Sequence, residues 1–179
     1  GSPRQRRPLI KTVEARASDL VVLGSAVIEP FDSSGCDWAA GWILQVLNRH
    51  DPNHVKTLIA PYGQAWLQVE SSAGIDYSEL QALLLNEDFE EADRRTSAIL
   101  RDLAGPAAVR RGYVYFSEVP PMPGVDLISL DRLWTVYSQG RFGFSMLFRR
   151  FPRFSLEIVK VLASSPVGDA AERIPFTRL

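Results

Sequence analysis

The apolar positions of this chain recur at helical spacing along most of its length. After a short arm rich in arginine and proline, Thr12 to Leu23 has the period of a helix, and Ala26 to Phe31 continues it in part. The period is clearest from Trp38 to Asn48, where Trp38, Trp42 and Val46 fall on one stripe. Asp51-Pro52 has the form of a helix start: an acceptor side chain stands before a proline at the first helical position. Val55, Leu58 and Ile59 follow, and Pro61 ends that segment. The small, uncharged run Ser71-Ser72-Ala73-Gly74 reads as a flexible linker.

Beyond it the pattern sharpens. Asp76 with Glu79, and Asp88 with Glu91, both have the spacing of a capping box. The first opens a helix with Tyr77, Leu80, Leu83 and Leu84 inward; the second opens one with Phe89, Ala92, Thr96, Ile99, Leu100 and Leu103 inward. Gly105-Pro106 stops the second and starts another short helix. A loop with Pro120, Pro121, Pro123 and Gly124 precedes Asp126, which is expected to cap a helix buried through Leu127, Leu130, Leu133, Trp134 and Tyr137. Gly140 is placed to be its left-handed stop. Tyr113 to Val119 has strand composition, but no partner strand is evident, and a lone strand is not stable. It therefore reads as an extended loop or a short helix. The predicted fold is all-α, with a small N-terminal helical bundle over 8–70, a core domain over 75–167 and a tail over 168–179.

Composition narrows the function classes. With 46% apolar and 23% charged residues, the 179-residue chain can bury an ordinary core. A net charge of −1 argues against nucleic acid as a partner. No apolar run approaches the roughly 20 residues of a membrane span, so any membrane association is expected to be peripheral. A single cysteine, Cys36, excludes an internal disulfide. His50 and His54 are set apart by the helix start at Asp51-Pro52, which leaves no ligand pair on one helix face. The acidic run Glu87, Asp88, Glu90, Glu91 and Asp93 falls on a cap and an exposed helix face. No nucleophile, base and acid can be assembled into a catalytic set, so no catalytic residue and no metal site is expected.

Two features fit binding instead. Tyr115, Phe116, Val119, Pro121 and Met122 form an apolar segment that kinks through prolines and could present a flat, greasy wall. Arg141, Arg149, Arg150 and Arg153 are interleaved with Phe142, Phe144, Phe148, Phe151 and Phe154. Arginine beside aromatic rings suits a planar ligand with carboxylate edges. The same pattern also fits a solubilising fringe on packed helices.

Gly74-Ile75-Asp76-Tyr77, Leu80 to Leu84, Asp88-Phe89, Ala92-Asp93 and Thr96, then Leu103-Ala104-Gly105-Pro106-Ala107-Ala108, Tyr115 to Val119 and Asp126 to Ser145 together resemble the Genomes-Uncoupled-Four family. These are porphyrin-binding accessory proteins of magnesium chelatase. The preceding module more loosely resembles the helical bundle of cyanobacterial members. The resemblance implies a helical core shaped like a cupped hand, and a protein that is not an enzyme. It would bind protoporphyrin IX and Mg-protoporphyrin IX and stimulate magnesium chelatase in chlorophyll biosynthesis. Its implied partner is the large porphyrin-binding subunit of that chelatase. The implied setting is the cyanobacterial cytoplasm or chloroplast stroma, as a monomer, with thylakoid association at most peripheral.

Phe116 and Val119 match positions that line the family's cup, and Met122 belongs to the same greasy loop. After Phe144-Ser145 the family's tryptophan-rich loop, with its Gly-His-Leu-Pro-Leu motif, has no counterpart here. Arg149, Arg150 and Arg153 are the candidates to replace the arginines that this loop supplies near the propionates. The alternative reading is a degenerate core that keeps the fold and serves as a protein-interaction or sensor module without strong porphyrin binding.

Overall fold

In the computed structural model, which describes residues 10–145, every regular element is a helix and no strand occurs among them. Helical turns over 10–15 form α1, followed by α2 (Ala17–Leu23). Then come α3 (Trp38–His50), α4 (Pro52–Ile59), α5 (Ser78–Leu85), α6 (Phe89–Ala104), α7 (Pro106–Arg111) and α8 (Gly124–Tyr137). The expected Ala26–Phe31 helix is only a 3-10 segment, Gly24–Val27.

Local chemistry explains most of these boundaries. Asp37 accepts from the Ala39 amide, and Asp51 accepts from the amides of Asn53 and His54, with Pro52 at the first position of α4. Asp88 accepts from the Glu91 amide at 3.3 Å. Asp76 accepts from the Ser78 amide at 2.9 Å, but Glu79 turns away to Arg95 at 2.8 Å. That capping box is therefore half used. Glu90 and Glu91 pair with Arg94, so the acidic start of α6 is an exposed ion-pair face. Gly105, at φ 99°, separates α6 from α7 as the sequence indicated. At the end of α8 the Gly140 amide donates to the Thr135 carbonyl at 2.9 Å, closing a Schellman-type turn. Gln139 shares the left-handed conformation with Gly140 in that turn.

α8 is the hub. Leu127, Leu130, Leu133 and Val136 are fully buried, and Trp134 and Tyr137 nearly so. Removing each leucine from water contributes up to about 2 kcal/mol. α3 and α5 pack against α8, while Phe89 at the start of α6 stacks on Trp134 at 6.3 Å between ring centroids. The inward stripes read from the sequence hold: Leu80 and Leu84 of α5, and Ala92, Thr96 and Ile99 of α6, are all buried. Segments before and after residue 70 share one continuous apolar core, with Leu44, Leu47 and Trp66 in the same cluster as Leu80 and Leu130.

Two glutamines stitch the layers together. Gln45 of α3 donates to the carbonyls of Leu84 at 2.8 Å and Tyr137 at 2.7 Å, in the last turns of α5 and α8. Carbonyls in a last helical turn lack the usual partner four residues on; that of Leu84 also accepts from the Glu87 amide at 3.1 Å. Gln81 of α5 joins the Leu67 backbone to the Tyr137 hydroxyl.

The expected flexible linker is instead fixed. Asp126 is fully buried at the third position of α8, where a cap was expected. Its carboxylate accepts from the Ser71 hydroxyl, from the Ser72 amide at 3.0 Å and hydroxyl at 2.8 Å, from the Ala73 amide at 3.2 Å and from the Tyr77 hydroxyl at 2.9 Å. A buried carboxylate must be compensated, and the small polar residues around it supply the donors. What looked like a flexible run is a set of ligands for one anion.

Candidate functional site

The connection between α7 and α8 is the segment on which the sequence placed its greasy wall. α7 ends at Gly112, whose φ of 87° turns the chain away, with its amide bonded to the Ala108 carbonyl at 2.8 Å. The chain then runs exposed to a single 3-10 turn, Phe116–Glu118. This agrees with the reading of Tyr113 to Val119 as a loop or short helix. The Met122 amide closes on the Val119 carbonyl at 3.0 Å, and Pro123 precedes α8.

The segment has two faces. Val119 and Met122 turn into the apolar core, 9% and 3% exposed, and pin the loop to the body. Tyr113 and Tyr115 stand out, each 51% exposed. Phe116 contributes its backbone to the turn; its side chain lies outside the described structure, as do Arg149, Arg150 and Arg153 entirely. Of the six expected ligand contacts, Val119 and Met122 are thus placed together, as the buried footing of the loop.

The turn after α8 is held by two polar groups. The Phe142 amide donates to the Ser138 hydroxyl at 2.9 Å, and the Phe144 amide donates to Asp131 at 3.1 Å. Phe142 meets the edges of Phe89 and Trp134. Asp131 is nearly inaccessible. Burial pushes its carboxyl well above the usual carboxylate range, nearby Cys36 adds to the rise, and Arg132 offsets part of it. Asp126 behaves oppositely. Burial pushes it up, but the bonds from Ser71, Ser72 and Tyr77 outweigh that, and it stays below the usual range.

The two aspartates therefore give opposite pH dependence. Stability from Asp126 is present above its unfolded value and is lost as pH falls through its lowered folded value. The raised Asp131 contributes fully below its unfolded value and loses its contribution as pH rises through the folded one. Asp131→Asn keeps an oxygen for the Phe144 amide and cannot ionise. Its melting temperature relative to wild type is expected to climb as pH rises above the unfolded carboxylate value and to level off once Asp131 ionises in the folded protein. A constant difference in a thermal-melt series would contradict the placement of Asp131.

Two of the cavities among the described residues lie between packed elements. One of about 210 Å³ lies between Tyr62–Val69 and the start of α5, bordered by Gln64, Gln68, Asp76 and Gln81. The other, of about 70 Å³, lies where Gln45, Glu87, Phe89 and Gln139 meet. Both fall below the roughly 300 Å³ of a typical ligand pocket, and neither is lined by Val119 or Met122. Among the described residues no three His, Cys, Asp or Glu side chains are grouped to hold a metal ion, and no helix is long and apolar enough to cross a membrane.

An all-helical core built around one central helix, with an aromatic loop pinned at its edge, defines the class. The chain belongs to the GUN4-like family, whose family model matches residues 70–160. It is 37% identical over 124 residues to a Ycf53-like protein of Synechocystis sp., covering 69% of this chain and 53% of the relative. It is 44% identical over 70 residues to a chloroplastic tetrapyrrole-binding protein of Arabidopsis thaliana, covering 39% of this chain and 26% of the relative. It thus spans about half the length of the first and a quarter of the second. A solved structure of GUN4 from Chlamydomonas reinhardtii aligns at a TM-score of 0.44 with 42% identity, over 49% of this chain and 64% of that one.

Proposed function

We propose that the chain is a porphyrin-binding regulator, not a catalyst. It takes up protoporphyrin IX and Mg-protoporphyrin IX and stimulates magnesium chelatase by handing porphyrin to, or receiving it from, the large chelatase subunit. The observation that carries this reading is the Arabidopsis relative. A protein named for tetrapyrrole binding shares 44% of 70 matched residues, and the family model covers the α7–α8 loop.

In this proposal Phe116 meets the ring, Val119 and Met122 back that wall from the core, and Arg149, Arg150 and Arg153 hold the propionates. A guanidinium takes a carboxylate edge in bidentate fashion while aromatic rings cover the face. Relatives in a cyanobacterium and a chloroplast support work in the cyanobacterial cytoplasm or chloroplast stroma; in this proposal the protein acts there as a monomer and touches thylakoids only peripherally.

The test is a titration with a water-soluble porphyrin, read by quenching of the tryptophans, of which Trp134 sits in α8. Saturable quenching in the micromolar range is expected. Phe116→Ala should weaken it about tenfold, the equivalent of ~1.4 kcal/mol. Absence of quenching at concentrations far above that range would remove the porphyrin reading and leave the interaction module.

A further inference from the structure

One arginine closes the α7–α8 loop on itself. Arg111, the last residue of α7, turns its guanidinium back across the segment that follows. Its Nη2 donates to the Tyr113 carbonyl at 3.0 Å and to Glu118 Oε2 at 2.6 Å. The same carboxylate oxygen accepts from the Tyr115 amide at 2.7 Å. The guanidinium also lies against two rings, 4.1 Å from the centre of Tyr115 and 4.8 Å from that of Tyr113. Those rings meet edge to face at 5.2 Å, with their hydroxyls 3.1 Å apart.

This differs from an ordinary surface ion pair. The Arg111 and Glu118 side chains are only 22% and 24% exposed, and both tyrosine rings lie against the guanidinium, so solvent and salt screen the pair less. Arginine is the residue type that can do this: its flat fork bonds two acceptors while its face stacks on an aromatic ring. The bonds also join residues that no helix orders. Residues 112–115 carry no regular element, yet their carbonyl, amide and rings are all tied to one charge pair.

The tied segment contains Phe116 and ends beside Val119. We propose that Arg111 and Glu118 are positioning residues. They hold 112–118 in its ligand-ready form before any ligand arrives, with Tyr113 and Tyr115 covering the charge pair. The consequence for affinity rests on the porphyrin reading above; the clamp itself does not. A loop that is ready only part of the time binds more weakly in proportion to that fraction, and the loss falls on the association rate.

The test uses the full chain and the variants Glu118→Ala, Arg111→Met and Glu118→Gln, the last keeping an oxygen for the Tyr115 amide. In ligand-free protein, amide hydrogen exchange over 112–118 should quicken about tenfold in Glu118→Ala and Arg111→Met, with α6 and α8 unchanged. In the porphyrin titration both variants should lose about tenfold in affinity through slower association at unchanged dissociation. Glu118→Gln should recover part of both losses. Unaltered exchange over 112–118 overturns the clamp whether or not porphyrin binds. Faster exchange with affinity within twofold of wild type overturns the positioning role, as does exchange that rises throughout the chain. If wild type takes no porphyrin, the ligand reading fails and the positioning role fails with it, while the exchange data still decide the clamp.

Discussion

Gln81→Leu is expected to cost about 3–5 kcal/mol of folding stability, since each buried polar group left unpaired costs roughly 1–3 kcal/mol. Gln81 is 3% exposed and serves three groups at once. Its Oε1 accepts from the Leu67 amide at 2.9 Å and the Tyr137 hydroxyl at 2.7 Å, and its Nε2 donates to the Leu67 carbonyl at 3.0 Å. Leucine fills nearly the same volume, so the change isolates the polar loss. It strands the Leu67 backbone and the hydroxyl of Tyr137, which is itself 1% exposed. Against a typical domain stability of about 5–15 kcal/mol, this is a large fraction. Urea unfolding should show a lower midpoint at an unchanged slope. Tyr137→Phe removes one of the stranded groups, so the double variant should lose less than the two single losses added together. Strict additivity would mean that the two side chains do not share this bond.

Gly41→Ala is the second large effect, and it comes from the close crossing of α3 on α8. A Cβ on Gly41 would stand 2.7 Å from Val136 Cγ1, 2.8 Å from the Val136 carbonyl carbon, and closer still to its oxygen. In an ordinary helix interior, alanine in place of glycine gains about 1 kcal/mol. Here that gain is overwhelmed, because overpacking costs about 1–3 kcal/mol and the Val136 carbonyl, in the last turn of α8, cannot move aside without shifting the helix end. A net loss of about 2 kcal/mol is expected. Trimming the neighbour distinguishes the cause. In a Gly41→Ala, Val136→Ala double variant the valine methyls are gone but the carbonyl remains, so stability should not return. Recovery in a thermal melt would show that α3 and α8 meet only through side chains.

Both residues show where the sequence pattern stops being informative. The stripe read for α3 was Trp38, Trp42 and Val46. Trp42 and Val46 are buried, but so are Ala40, Gly41, Leu44, Gln45 and Leu47. α3 is therefore enclosed on more sides than an amphipathic period implies. Periodicity finds the face that packs against one neighbour. A helix pressed between α2, α5 and α8 hides polar positions as well. Gln45 and Gln81 look like surface residues in a linear reading, because their partners lie far along the chain. Asp126 was read as a cap for the same reason: acceptor residues before an apolar run usually are caps. Its donors on Ser71, Ser72 and Ala73 come from the run that was read as a linker.

The loop that carries the proposed site was legible in part. Its proline-rich end and aromatic content marked Tyr115 to Met122 as a special segment, and the family match covers it. Alternation could not tell which side chains face inward. The structure turns Val119 and Met122 into the core and leaves Tyr113 and Tyr115 outside. The spacing Arg111, Tyr113, Tyr115, Glu118 was in plain view, but nothing local indicates that one guanidinium spans it.

By itself, then, the sequence determined most of the helices, the caps at Asp51 and Asp88, the stops at Gly105 and Gly140, the leucine stripes of α5 and α8, and the membership of residues 70–160 in a family. These depend on neighbours within a turn or two, where spacing fixes geometry. Only the tertiary structure decided that Asp126 organises Ser71–Ala73, that Gly41 must lack a side chain, that two glutamines join the layers, and that Arg111 closes the loop. Those outcomes depend on groups brought together from far apart in the chain. There the deciding quantity is the cost of leaving a buried polar atom unpaired or two backbones overlapping, and no local pattern encodes it.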